Sequence, residues 1–235
     1  MKNSPIPEPE LSELIPLDVL LIFFPVCIFL ALTPGPDNIF VLTQSALHGK
    51  LAGIFVVLGL CTGVLVHTTA VALGVAAIFQ ASSLAFNTLK IIGAFYLLYL
   101  AWGALRAKGE KISLEDNEPE DGEKNPTQKT RRKAGHGKLY RRGIIMNVTN
   151  PKVSIFFLSF LPQFADPIRG SMSLQMIQLG GFFILSTLLV FGAIALFAGS
   201  IGTRLQKSNR AQGIMNKAAG FVFIALAVKL ATIQQ

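Results

Sequence analysis

Two ionisable side chains stand where an apolar chain has least use for them. Asp37 lies in "TPGPDN", residues 33–38, between "LDVLLIFFPVCIFLAL" and "IFVLTQSAL". Lys152 lies in "MNVTNPKVSIFFLSFLPQF", directly after Asn150 and Pro151. A charged residue deep in a membrane span is expensive and is a functional candidate by default. His67, within a third apolar run, can change charge near neutral pH. Asp37 and His67 are therefore candidate proton carriers. Simpler roles stand beside these. Asp37 and Lys152 could neutralise each other as a structural ion pair, and His67 could be a hydrogen-bonded packing residue.

The prolines next to both charges decide how they would be presented. A proline within a helix removes one hydrogen bond and clashes with the preceding turn. In lipid the freed carbonyls must find partners in protein or water. Pro34, Gly35, Pro36, Asp37 and Asn38 therefore belong to the protein interior, as do Asn150, Pro151 and Lys152. Proline is favoured at the first helical position, with Gly or Asn at the cap before it. Gly35-Pro36 and Asn150-Pro151 both read as new helix starts. The N–H groups at such a start favour a carboxylate. Pro36 lies about 20 Å of helix before Gly49, and Pro151 about 14 Å after Arg142. Both breaks fall near the middle of a bilayer. A plain kink is the alternative for either break alone.

The elements that must position these residues are membrane helices. The chain is 51% hydrophobic and only 14% charged, with mean hydropathy +0.54. A soluble domain carries about 25% charged residues. The apolar residues cluster in runs of about 20, the length that crosses a hydrocarbon core of roughly 30 Å. Six spans are expected, near 18–42, 51–79, 84–105, 144–162, 174–199 and 213–232. Residues 1–16 are acidic and proline-rich, unlike a cleavable signal peptide. The expected fold is all-α: a polytopic membrane protein with six transmembrane helices in two inverted three-helix halves. Residues 1–17 form a periplasmic tail, 18–105 the first half, 106–142 a polar linker and 143–235 the second half. The linker holds both charge signs and few large apolar residues, so it is expected to be disordered.

Lysine and arginine set the orientation. Sixteen of the 21 fall on the side that receives loops 43–50, 106–142 and 200–212 and the start of the last span. The opposite side, with both termini, receives Lys2, Lys90, Arg169 and Lys229. The positive-inside rule places the linker in the cytoplasm and both termini outside. The net charge of +8 is thus a topology signal, and no nucleic-acid partner is expected. Three spans per half give the halves opposite orientations, the arrangement of many secondary transporters. Each half opens with a proline-broken span carrying one charge.

The remaining residues narrow the classes. Cys27 and Cys61 both lie in apolar runs and read as packing residues. A thiol carrier would need them to meet, and they sit at unmatched places in the halves. No CxxC or metal-ligand spacing occurs, so neither metal nor cofactor is expected. A membrane enzyme would show a nucleophile and base, or metal ligands, deep in the spans. A passive channel stays open as an alternative, as does a homo-oligomer. Gly53, Gly59, Gly63, Gly180, Gly181 and Gly192 read as helix-packing notches, and Phe156, Phe157 and Phe160 as packing.

The sequence resembles the LysE/RhtB family of bacterial amino-acid exporters over about residues 17–232. The resemblance rests on "TPGPDNIFVLTQSALHGKLAGIFVVLGLCTG", "LKIIGAFYLLYLAWGALR" and "RRGIIMNVTNPKVSIFFLSFLPQF". The family's PGP element corresponds to Pro34, Gly35 and Pro36, and its NPK element to Asn150, Pro151 and Lys152. The resemblance implies a non-enzymatic, multi-pass inner-membrane protein that exports amino acids or derivatives by proton-coupled antiport. The linker is longer than usual for the family. With Asp37 the one deep acid, neutral amino acids and the homoserine/threonine/leucine-type branch are favoured. A zwitterion needs one anionic and one cationic contact. Asp37 would take the ammonium, and Lys152 with the N–H groups after Asn150 would take the carboxylate.

Overall fold

The computed structural model describes residues 14–33, 35–75, 83–107, 135–198 and 209–232. The expected tail before residue 14, most of the linker and Pro34 lie outside them. Among the described residues the chain forms eight α-helices: α1 Leu17–Leu32, α2 Pro36–His48, α3 Lys50–Ala70, α4 Ser83–Arg106, α5 His136–Val148, α6 Pro151–Ile155, α7 Met172–Phe197 and α8 Asn209–Thr232. Among the described residues two stretches are long and apolar enough to cross a bilayer alone, Lys50–Gly74 and Met172–Phe197. Two more qualify as bent pairs: α1 with α2, bent by 62°, and α5 with the 151–164 segment, bent by 50°. The molecule is an integral, multi-pass membrane protein.

Both bends have local causes. Gly35 is extended (φ −172°, ψ 178°), and Pro36 opens α2 behind it. Asn150 is likewise non-helical, and its side chain accepts the Lys152 N–H at 3.0 Å, capping α6. Such a cap contributes about 1 kcal/mol. After α6 the helix widens over Phe156–Phe160, where the Leu161 N–H reaches back to the Phe156 carbonyl. Pro162 offers no N–H to restore the regular pattern, and the segment closes as a tight turn over Leu161–Phe164. Gly49 joins α2 to α3 alone, at φ 89°, a conformation that favours glycine.

Contacts fix the relative helix directions. Gly59 and Gly63 of α3 lie against Gly143 and Asn147 of α5, so these two helices run parallel. A Cβ on Gly59 would overlap the Tyr140 carbonyl, and one on Gly143 would overlap the Val56 carbonyl. Here two backbones touch, as small residues allow in membranes. Gly53 meets Ser45 and Ala195, and Gly180 meets Thr68, so α3 and α7 run antiparallel. Around Gly181 and Gly192 there is open space, which corrects the expectation that they too are notches. Gly220 on α8 receives Leu105 of α4, and Asn216 donates to the Ala107 carbonyl; this pair is antiparallel. Ile15 donates to Gln178 and Phe24 meets Phe182, aligning α1 parallel with α7.

Two apolar clusters fill the interior. One gathers Phe23, Phe156, Phe157, Phe160, Phe164 and Phe183, with adjacent ring centroids 5.0–6.3 Å apart. Those distances suit edge and tilted aromatic packing. The other lies between α2, α3, α5 and α7 around Val41, Val56 and Leu60. Large apolar residues such as Leu21, Ile92, Phe95, Trp102 and Phe221 face outward, as lipid contact requires. The linker expectation needs one correction. Residues 136–142 are the first turns of α5, so Lys138, Arg141 and Arg142 sit on a helix.

Candidate functional site

Breaking α1 before Pro36 frees a set of main-chain carbonyls, and the site is built on them. In an unbroken helix the Leu30 carbonyl would accept from residue 34, which is proline and has no N–H. The Lys152 ammonium takes that place, with Nζ donating to the Leu30 carbonyl at 3.1 Å and to the Thr33 carbonyl at 3.1 Å. Asn38 Nδ2 donates to the Ala31 carbonyl at 2.8 Å. The Thr33 N–H and Oγ1 both donate to the Phe29 carbonyl, at 2.9 and 2.8 Å. The break in α1 is thus capped by the lysine of the other break. Lys152 Nζ packs beside Gly35, where an added Cβ would be in ordinary contact with it at 3.4 Å.

Asn150 ties the second break to the first. Its Nδ2 donates to Asp37 Oδ2 at 2.9 Å while its Oδ1 caps α6. Asp37 is buried, and its Oδ1 has no hydrogen-bond partner among the described residues. Asp37 and Lys152 make no direct ion pair. Asn150 touches both residues: its Nδ2 donates to the Asp37 carboxylate and its Oδ1 accepts the Lys152 main-chain N–H. One sequence expectation is corrected. The N–H groups after Asn150 are engaged within the chain: Lys152 N–H by Asn150 Oδ1, and Val153 and Ser154 N–H by the Asn150 carbonyl. They offer no separate carboxylate site in this state, since one short turn spends them on its own cap.

A cavity adjoins the pair. Its walls include Asp37, Asn147, Lys152, Phe183 and Thr187. The free space is narrow, with room for about one water molecule. The space beside Asp37 and Lys152 is too small for a substrate, which would have to part these walls. A second apolar cleft lies on the other side of Lys152, against Tyr96, Leu97 and Phe156. His67 is not among the residues that line the cavity beside Asp37. Its Nε2 lies 3.2 Å from the Asn147 carbonyl, and its ring lies 5.6 Å from the Phe157 ring. Asn147 was missed by the sequence reading. It lies within the quoted "MNVTNPK", but it is uncharged, and only packing reveals that its side chain is buried beside Asp37.

Cys27 and Cys61 are free, buried thiols in separate apolar clusters. Among the described residues no group of three His, Cys, Asp or Glu side chains could hold a metal ion.

Two bent helix pairs, meeting through their charged residues inside a bundle of apolar helices, define a membrane protein with its polar groups gathered at helix breaks. The chain matches the LysE type translocator family over residues 28–234, and it belongs to that family. It is 30% identical over 205 residues to the uncharacterized membrane protein PA4757 of Pseudomonas aeruginosa, covering 87% of this chain and 91% of that one. It is 27% identical to the uncharacterized membrane protein YrhP of Bacillus subtilis, over 89% of this chain and 97% of that one. It is 29% identical to the leucine efflux protein of Salmonella typhimurium, over 88% of this chain and 92% of that one. No solved structure matches it.

Proposed function

We propose that this protein exports neutral amino acids, or small derivatives of them, across the bacterial inner membrane as a proton-coupled secondary transporter. The observation that carries the reading is the junction of Asp37 and Lys152, one from each broken helix, through Asn150. The name of the leucine efflux relative supports the substrate class. Six spans in two inverted three-helix halves are proposed, with 106–142 cytoplasmic and both termini outside. The parallel α3–α5 and α1–α7 pairs and the antiparallel α3–α7 and α4–α8 pairs agree with that topology.

The chemistry follows from what each group gives up. A substrate carboxylate would draw Lys152 Nζ from the Leu30 and Thr33 carbonyls. Those carbonyls are neutral acceptors, whereas a carboxylate adds the Coulomb attraction of an opposite charge. Releasing them loosens the bend between α1 and α2, so carboxylate binding and helix movement are coupled. The substrate ammonium would meet Asp37 at Oδ1, the oxygen that Asn150 leaves open. A proton on Asp37 would weaken that contact and favour release. His67 is the second proton-carrying candidate, acting through the main chain of Asn147.

The test is uptake of a panel of labelled amino acids into inside-out vesicles, with and without a proton gradient. Gradient-driven accumulation of leucine-like substrates is expected. Accumulation of none of them, with the protein present in the membrane, would overturn the reading.

A further inference from the structure

Asn147 has no role in the sequence reading, yet it shares the cavity with Asp37 and Lys152. Its side chain is buried, at 3% exposure, and its Oδ1 has no hydrogen-bond partner among the described residues. Asp37, also 3% exposed, lines the same cavity and carries a second unpartnered acceptor, Oδ1. A buried acceptor without a donor costs about 1–3 kcal/mol, so two beside one cavity call for a shared donor. The position of Asn147 is held from two sides. A Cβ on Gly63 would come within 2.6–2.9 Å of its side chain, and its carbonyl lies 3.2 Å from His67 Nε2.

The geometry points to Asn147 as the second acceptor for the substrate's primary ammonium, working with Asp37 Oδ1. This rests on the amino-acid export reading above. An ammonium carries three N–H donors and no acceptor, so it can satisfy both oxygens at once. Asp37 Oδ2 is already occupied by Asn150, and Asp37 alone would answer only one N–H. The pair therefore selects for an amine with at least two N–H groups. Lys152, on the same cavity wall, is left to the carboxylate.

The experiment compares leucine with 4-methylpentanoate, the same molecule without its ammonium, as competitors of labelled leucine uptake in inside-out vesicles. In the unaltered protein leucine should compete better. In Asn147→Leu and Asn147→Ala that preference should fall about 10-fold or more, while competition by 4-methylpentanoate stays unchanged. If both competitors weaken together, Asn147 is structural and the inference is overturned. If the preference is unchanged in both variants, it is also overturned. The unaltered protein gives a check that needs no variant. N-methylleucine keeps two N–H donors and should compete far better than N,N-dimethylleucine, which keeps one. Equal competition by the two would contradict the two-acceptor site. Absence of leucine uptake by the unaltered protein is a different pattern, which overturns the export reading and this contact with it.

Discussion

Asn150 carries two loads through one amide. Its oxygen caps α6, and its nitrogen is the hydrogen-bond partner of Asp37. Replacing it by Asp keeps the capping oxygen but sets a second carboxylate against Asp37. Replacing it by Ser keeps a capping hydroxyl without the added charge. Asn150→Asp should therefore melt at a lower temperature in detergent than Asn150→Ser, and should transport less. The difference between the two variants is the repulsion of two buried carboxylates, which only Asn150→Asp introduces. An Asn150→Asp protein as stable as Asn150→Ser would contradict the bridging role. The charges at the breaks were legible in sequence because an ion in an apolar run is conspicuous. Their partners were not. Nothing in the order of residues says that Lys152 caps carbonyls of α1, because that contact spans more than a hundred positions of chain.

The helices meet through backbone where glycine permits it. Gly59 and Gly143 bring α3 and α5 into main-chain contact, so Gly59→Val should force the helices apart. Overpacking of this kind costs about 1–3 kcal/mol. Gly181→Ala and Gly192→Ala should be tolerated, since a Cβ at either position meets nothing. Thermal melting of the purified variants checks this, and equal loss from Gly59→Val and Gly192→Ala would contradict the packing. Sequence gave each glycine the same weight. A stripe of small residues marks a helix that can be approached, but which glycine is approached depends on how neighbours rotate. The helix starts at Pro36 and Pro151 were easier to read, since a missing N–H acts locally. The irregular path over Phe156–Phe164 was not read, because its widened turn depends on a tertiary aromatic cluster around Phe156 and Phe160.

At the scale of the whole molecule, the apolar runs announced a membrane protein. The start of α5 inside the expected linker shows the limit of composition. Lys138, Arg141 and Arg142 are polar enough to resemble linker, yet the first turns of a helix tolerate them well. The proposed topology predicts that, in a Cys-free background, a cysteine at Gln235 labels from outside and one at Gly122 only from inside. Labelling of position 122 in intact cells would contradict it. The central claim is that the two halves hold the two ends of one zwitterion through Asp37 and Lys152. Its most direct measurement is leucine transport by Asp37→Asn, Lys152→Met and the double variant, at equal protein level in the membrane. Each single change should cost roughly 10- to 150-fold, from losing a hydrogen bond to a charged group. If the charges only neutralised each other, removing both would restore much of the loss, because no unpaired buried charge would remain. The account predicts a double variant at least as inactive as the worse single, and recovered transport in the double variant would contradict it.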